Sequence, residues 1–227
     1  MRIRADFDQI VHVLPEDHEW VASPLKGVDR VMLDRIGDEV AVATSIVRYA
    51  KGATFSAHDH ALGEEFVVLD GEFGDDHGRY PPMTYVRNPP GSAHVPFSDP
   101  GCTIFVKLRQ FAEDDQRQCA VSIQTSCPET GWEVDTLHEY QGERVQVIRA
   151  APGSHVRIAA SYYCRELFVL SGIVSWQTEV TRTLRPWSWF RLMPGHPMRF
   201  IVEEPAVLFT KTRPHFNFAT AALEQPE

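Results

Sequence analysis

The stretch GATFSAHDHALGEEFVVLDG, residues 52–71, decides how the chain reads. It carries His58 and His60 one residue apart, Glu64 four residues after the second, and Gly52 and Gly71 at its ends. Side chains on a strand alternate between faces, so His58 and His60 point the same way if Thr54–His60 is a strand. Ala61-Leu62-Gly63 then reads as a tight connection, and Glu64–Leu69 as the returning strand that brings Glu64 back to the same side. Asp70-Gly71 turns the chain again. His94, after Pro90-Gly91, can join the group from a later loop or strand. Three imidazoles and one carboxylate suit Zn, Fe(II), Mn, Ni or Cu.

Outward from this stretch the chain keeps a β rhythm. Val28–Ile36 and Val40–Tyr49 flank a Gly37-Asp38 turn, as in a hairpin. Phe73–Pro82 reads as a polar loop, Tyr85–Asn88 as a short strand stopped by Pro89-Pro90-Gly91, and Thr103–Phe111 as a long alternating strand. No sustained helical period interrupts them. Short strands at roughly 8–12-residue spacing predict a sandwich or barrel. Residues 112–130 form a junction, with Cys119–Gln124 as a strand.

The second half repeats the first. With Gly52 placed on Gly153, GEEFVVLDG falls on CRELFVLSG without a gap, so Glu65 matches Glu166 and Gly71 matches Gly172. Pro90-Gly91 matches Pro194-Gly195 after a three-residue insertion, and Thr103–Phe111 is matched to Ala206–Pro214. Two copies of about 90 residues each predict two like β-barrels. In this alignment His58 falls on Ala159, His60 on Ser161, Glu64 on Arg165 and His94 on Met198. The second copy is therefore expected to hold no metal, with His155 and His196 structural or exposed.

Composition narrows the class. A net charge of -9 leaves no basic face for phosphates, so nucleic acid is not an expected partner. No apolar run reaches bilayer length and the N-terminus has no signal-peptide core, so a cytoplasmic protein away from membranes is expected. Cys102, Cys119, Cys127 and Cys164 form no C-x-x-C pair and read as reduced, mostly buried thiols.

Gly52, five residues, His58-x-His60, three residues, Glu64, six residues and Gly71 together resemble the complete first motif of the cupins. Pro89-x-Gly91-x-x-His94 resembles the core of their second motif. The wider wording, HDHALGEEFVVLDGEF, then D-x-x-G-x-Y, then PPGS-x-H and GCTIFVKL, is similar to the cupin domain of ChrR-type anti-sigma factors. The resemblance is strong over about residues 20–111 and weak over 131–215. It implies an all-β protein of two tandem cupin barrels (double-stranded β-helix, or jelly roll). Residues 1–111 would be a metal-binding barrel with an N-terminal arm, and 112–227 a degenerate barrel without ligands. It implies one divalent metal held by His58, His60, Glu64 and His94, zinc first in the ChrR-like branch, with Fe(II), Ni or Mn as alternatives. The second motif departs at Met83, where the family has glycine, and at Ser98, where it has asparagine. ChrR-type proteins also carry an N-terminal helical anti-sigma domain with a His/Cys zinc site. Here about two dozen residues precede the first cupin and no H-x-x-x-C-x-x-C occurs, so sigma-factor binding by that route is not expected.

The expected partner is a small molecule, and a homodimer is compatible with these features. Parity puts Ser56 with the histidines and Phe66 and Val68 with Glu64, which predicts a partly apolar pocket. Ser56, Phe66, Tyr85 and Ser98 are the candidate pocket residues, with Tyr85 as a candidate base. Asp75-Asp76-His77 reads as a solvated turn, with gating of the barrel as the alternative. Three activities stay open: binding or sensing of a small molecule or oxidant, a dioxygenase acting on a thiol or diketone, and a sugar isomerase or epimerase. No catalytic residue is assigned from the sequence.

Overall fold

The computed structural model describes residues 1–178 and 180–214, so the end of the expected second barrel, 215–227, lies outside the described residues. Among these there is no α-helix, only strands and one 3-10 turn, Pro15–Asp17. The first half of the chain contains β1 (Arg2–Ile3), β2 (Val11–Val13), β3 (Val21–Ala22), β4 (Val28–Gly37), β5 (Ala41–Tyr49), β6 (Ala53–Thr54), β7 (His58–Asp59), β8 (Glu64–Gly71), β9 (Phe73–Asp75), β10 (Gly78–Tyr80), β11 (Thr84–Asn88), β12 (Ala93–His94), β13 (Phe97–Ser98), β14 (Cys102–Leu108) and β15 (Cys119–Ser122). The second half contains β16 (Trp132–Tyr140), β17 (Glu143–Ala150), β18 (His155–Ile158), β19 (Cys164–Trp176), β20 (Arg182–Leu184), β21 (Trp189–Leu192) and β22 (Met198–Arg213).

These strands fall into two compact units, residues 1–5 with 19–124, and residues 6–18 with 125–214. The division differs from a cut after residue 111 in two segments. β15 pairs with β11 and so belongs to the first unit, and β2 pairs with β21 and so belongs to the second.

In the first unit a large antiparallel sheet runs β1-β4-β5-β14-β8-β11-β15, with β3 added on β4. Two smaller sheets accompany it, β10-β9-β13-β6 and β12-β7. Alternation along β8 sends Phe66 and Val68 into a core with Phe73, Val86, Ile104 and Val106. Each such buried side chain contributes about 1.5–3 kcal/mol. The opposite face of the same strands buries charge. Glu65 accepts hydrogen bonds from Tyr85 Oη at 2.7 Å and Arg87 at 2.9 Å, and the Arg87 guanidinium lies 4.0 Å from the Phe111 ring. In β4 the register against β5 shifts between Met32 and Asp34. That bulge changes which face the following residues present.

The second unit has the order β16-β17-β22-β19-β21-β2, with β18 on β22 and β20 on β19. Its long strands β19 and β22 correspond to β8 with β9, and to β12 through β14. Both units are double-stranded β-helices of the jelly-roll type, and their sheets are open rather than closed into hydrogen-bonded cylinders. The repeat extends to the buried charge, since Trp189 Nε1 donates to Glu166 at 3.1 Å and Arg191 lies 4.0 Å from Phe7. Gly71 and Gly172 both have positive φ, 72° and 81°. A Cβ on either would collide with a backbone carbonyl, Gly101 O or Pro205 O.

Three readings of the sequence are corrected. Thr54–His60 is not one strand, because the chain leaves the sheet between β6 and β7. Phe73–Pro82 is not a loop but the hairpin β9–β10, with Asp75 opposite Gly78. The last strand match slips by one residue. Val68 pairs with Ile104 as Val169 pairs with Leu208, and Glu65 with Lys107 as Glu166 with Lys211. Cys102–Leu108 therefore corresponds to residues 206–212. The three-residue insertion already applied at Pro90-Gly91 carries through the strand.

Candidate metal centre

His58 on β7 pairs with His94 on β12, and His60 follows where its amide donates to Ser92 O at 2.8 Å. Two short strands and one turn thus bring three imidazoles together, with ring centroids 4.6–5.2 Å apart. One nitrogen of each lies within 4.8 Å of the others. His60 and His94 are buried and His58 is exposed. Glu64, at the start of β8, places Oε1 3.6 Å from His60 Nε2 and 3.9 Å from His94 Nε2. Asn88 Nδ2 steadies that oxygen at 3.4 Å.

The second ring nitrogen decides what each histidine can do. His94 Nδ1 lies 3.0 Å from the Asp75 carboxylate, and His58 Nδ1 3.2 Å from Ser56 O. Both acceptors require the proton on Nδ1. His60 Nδ1 lies 3.1 Å from Ser92 Oγ, whose own proton goes to Pro89 O at 2.6 Å, so His60 also donates from Nδ1. Each Nε2 is left as a lone pair. His60 Nε2 is buried without a hydrogen-bond partner, an expensive arrangement unless something binds there. Burial also pushes the His60 pKa below its ordinary value, with the neighbouring His94 and His58 acting the same way and Glu64 opposing. The donor chemistry, the tautomers and the orphaned Nε2 fit a divalent metal.

Asp75 is the residue that sequence reading missed. Its segment reads as a solvated turn, yet its side chain is buried. Besides His94 it accepts from Tyr80 Oη at 3.1 Å and from the amides of His77 and Gly78 at 2.8 and 3.0 Å. Burial alone would raise its pKa, but the His94 and His77 hydrogen bonds outweigh it and hold the carboxyl below its ordinary value. The D-x-x-G-x-Y wording contained the signal, because its first and last residues are Asp75 and Tyr80. Asp76 binds the Val95 amide at 2.9 Å and His77 binds Ala93 O at 3.3 Å, so this segment is tied to the strand that carries His94.

A cavity of about 500 Å³ opens beside His58, His60 and Glu64. Ser56 lines it, as expected from parity, together with Val47, Tyr49, Phe55, Val106 and Leu108. The other three candidate pocket residues sit elsewhere. Phe66 is in the core, Ser98 Oγ donates to Glu72 O at 2.6 Å, and Tyr85 faces Glu65 on the opposite side of the sheet. The tyrosine on the cavity is Tyr49, whose hydroxyl burial pushes far above its ordinary pKa.

The second unit replaces the whole constellation. By strand pairing Met198 stands for His94, and its partner is Ile158 rather than Ala159, because the first unit has one extra residue between Phe55 and His58. Trp176 stands for Asp75 and stacks on Phe190 at 4.7 Å, and Leu192 stands for Asn88. Apolar packing fills the space that the first unit lines with ligand-type groups.

Residues 8–112 match the family model described as the ChrR Cupin-like domain. No curated protein sequence matches the chain. Among solved structures, a candidate dioxygenase from Nostoc punctiforme PCC 73102 aligns with a TM-score of 0.72 at 12% identity, covering 96% of this chain and 85% of that one. A bacterial pirin from Escherichia coli in complex with nickel(II) aligns with 0.69 at 11% identity, over 92% of this chain and 100% of that one. A single-residue variant of oxalate decarboxylase from Bacillus subtilis aligns with 0.60 at 11% identity, over 92% and 79%. Motif, fold and family match agree over the N-terminal half, where residues 8–112 match a ChrR Cupin-like domain, and the chain as a whole is similar in fold to solved cupin-type structures.

Proposed function

We propose that the N-terminal unit holds one divalent metal through His58, His60, His94 and Glu64 and binds a small molecule there. The observation that carries this reading is the set of three Nδ1 hydrogen bonds, to Ser56 O, Ser92 Oγ and Asp75, which leaves three Nε2 lone pairs converging. Zinc is the first choice of metal, with Fe(II), nickel and manganese as alternatives. A bound metal would supply Lewis acidity toward a ligand entering from the cavity. The chain supplies the rest. Asp75 and Ser92 fix ring orientation, Glu64 adds negative charge, and the apolar walls around Val47, Val106 and Leu108 exclude water. Binding or sensing is the primary reading, because the family match is to a ChrR-type domain.

The second reading is a dioxygenase. A cavity of about 500 Å³ beside the histidines is large enough for an organic substrate, and one structural relative is a candidate dioxygenase. A sugar isomerase has less support, since Tyr85, its candidate base, points away from the cavity. The deciding experiment is metal analysis of protein purified without added metal, followed by oxygen uptake by the Fe(II)-loaded protein with thiols and β-diketones. Tightly held zinc and no uptake support binding or sensing, and turnover with iron supports the oxygenase. Protein that takes up no metal overturns both.

A further inference from the structure

The wall of the cavity opposite the histidines is cationic. Arg30 and Arg35 both line it, from β4. Five residues apart on a regular strand they would face opposite ways, but the register shift between Met32 and Asp34 brings Arg35 onto Arg30's side. Strand pairing then locates them. Glu64 pairs with Leu108, Leu108 with Ala43, and Ala43 with Arg35, so Glu64 and Arg35 stand in one row, three strands apart. That is about 14 Å between backbones, with both side chains reaching inward. Leu108 lines the span, with Val106 and Val47 beside it.

The arginines are under-neutralised. Arg35, 3% exposed, donates to the backbone carbonyls of Asp38 and Glu39. Arg30 reaches the Glu39 carboxylate at 3.2 Å, but Glu39 is 64% exposed, and Arg30 Nε is buried without an acceptor. The two carboxylates near these guanidinium groups, Glu39 and Asp38, are both solvent-exposed, and Asp38 is shared with the N-terminal ammonium. Across the whole cavity three arginines face three carboxylates, and a divalent ion at the histidines would tip that balance to positive. An apolar cleft with a metal-ligand cluster at one end and a forked cation at the other fits an elongated anion.

We infer that the cavity takes an organic carboxylate with an apolar body, its carboxylate on Arg30 and Arg35 and its far end toward His58, His60 and Glu64. The orientation rests on the metal reading above, whereas the preference for an anion rests on the arginines alone. The test compares 4-phenylbutyrate with its neutral counterpart 4-phenyl-1-butanol by isothermal titration, on the full chain as purified and after chelator treatment. The acid is expected to bind at least about tenfold more tightly than the alcohol, as a charge-assisted pair with guanidinium implies. Arg30→Gln should abolish that preference. Glu39→Gln changes an exposed residue that the fold tolerates, and should tighten acid binding several-fold by releasing Arg30. Equal affinity of acid and alcohol, no binding of either, or a preference that survives Arg30→Gln overturns the inference. Metal content of the same samples reads the metal proposal separately: absence of metal with acid preference intact removes the orientation and keeps the anion site.

Discussion

Asp75 Oδ2 lies 3.0 Å from His94 Nδ1, and the second copy of the fold puts Trp176 where the first puts Asp75. Trp176 and Met198 stand where the first copy has the carboxylate and the imidazole, so the fold itself requires neither of them. Asp75→Asn keeps the shape and removes the charge that fixes the His94 tautomer. Metal affinity is expected to fall about 10–100-fold, read by competition with a chromogenic chelator. Tyr80→Phe removes only the hydroxyl on the other carboxylate oxygen and should weaken affinity less. Unchanged affinity in Asp75→Asn would remove Asp75 from the site.

The histidines and Glu64 should separate in their effects. Substitution of His60 or His94 by alanine removes a buried Nε2 donor and should take metal content from about one per chain to near zero. Glu64→Ala leaves three imidazoles and should lower affinity without abolishing binding. Elemental analysis after dialysis decides it. Circular dichroism of all three variants should stay native, because the second unit builds the same fold with Met198 and Arg165 at these places. Full metal content in His94→Ala would show the ligand set to be wrong.

Much of this is legible in the sequence itself. Period-two alternation fixed the inner face of β8, and the histidine spacing survived the break between β6 and β7 because a tight turn restored the pairing with β12. What stayed hidden depends on contacts distant in sequence or on irregular backbone. Tyr85 reads as a candidate base because a tyrosine can carry a proton, and only the pairing of β11 with β8 shows that it shares a face with Glu65. Asp75 looked like turn chemistry because three polar residues followed two glycines, at positions 71 and 74, and no local pattern reveals a partner 19 residues away. Arg35 was invisible as a cavity residue because its side of β4 depends on a bulge.

Three glycines of the repeat, Gly52, Gly71 and Gly172, offer a matched stability test. Gly52 has positive φ but open space around it, so Gly52→Ala should cost only the left-handed backbone penalty, about 1 kcal/mol. Gly71→Ala and Gly172→Ala add a collision with Gly101 O, just before β14, or Pro205 O, within β22, backbone atoms that cannot move away cheaply. Each should cost on the order of 3 kcal/mol or more in urea denaturation. A Gly71→Ala cost equal to that of Gly52→Ala would mean that β8 and β14 do not approach as closely as described.

The metal-free protein should lose stability in mild acid, and the reason lies chiefly in His60. Burial holds its folded pKa below the ordinary 6.5. Below pH 6.5 the unfolded chain therefore binds a proton that the folded chain resists. The stabilisation is complete above 6.5 and is lost as pH falls toward the lowered folded value. Asp75, also held low, acts in the same direction but only below its ordinary 3.8, outside this window. His12 in the second unit is lowered as well, by burial and then by the Arg182 charge, so wild type alone cannot isolate the effect. The difference between wild type and His60→Asn can. Urea midpoints of chelator-treated protein at about pH 7.5 and about pH 5 should drop further for wild type than for the variant. Equal drops would mean that His60 is protonated as readily in the folded chain as in the unfolded one, and is therefore not held as the neutral donor that a metal site requires.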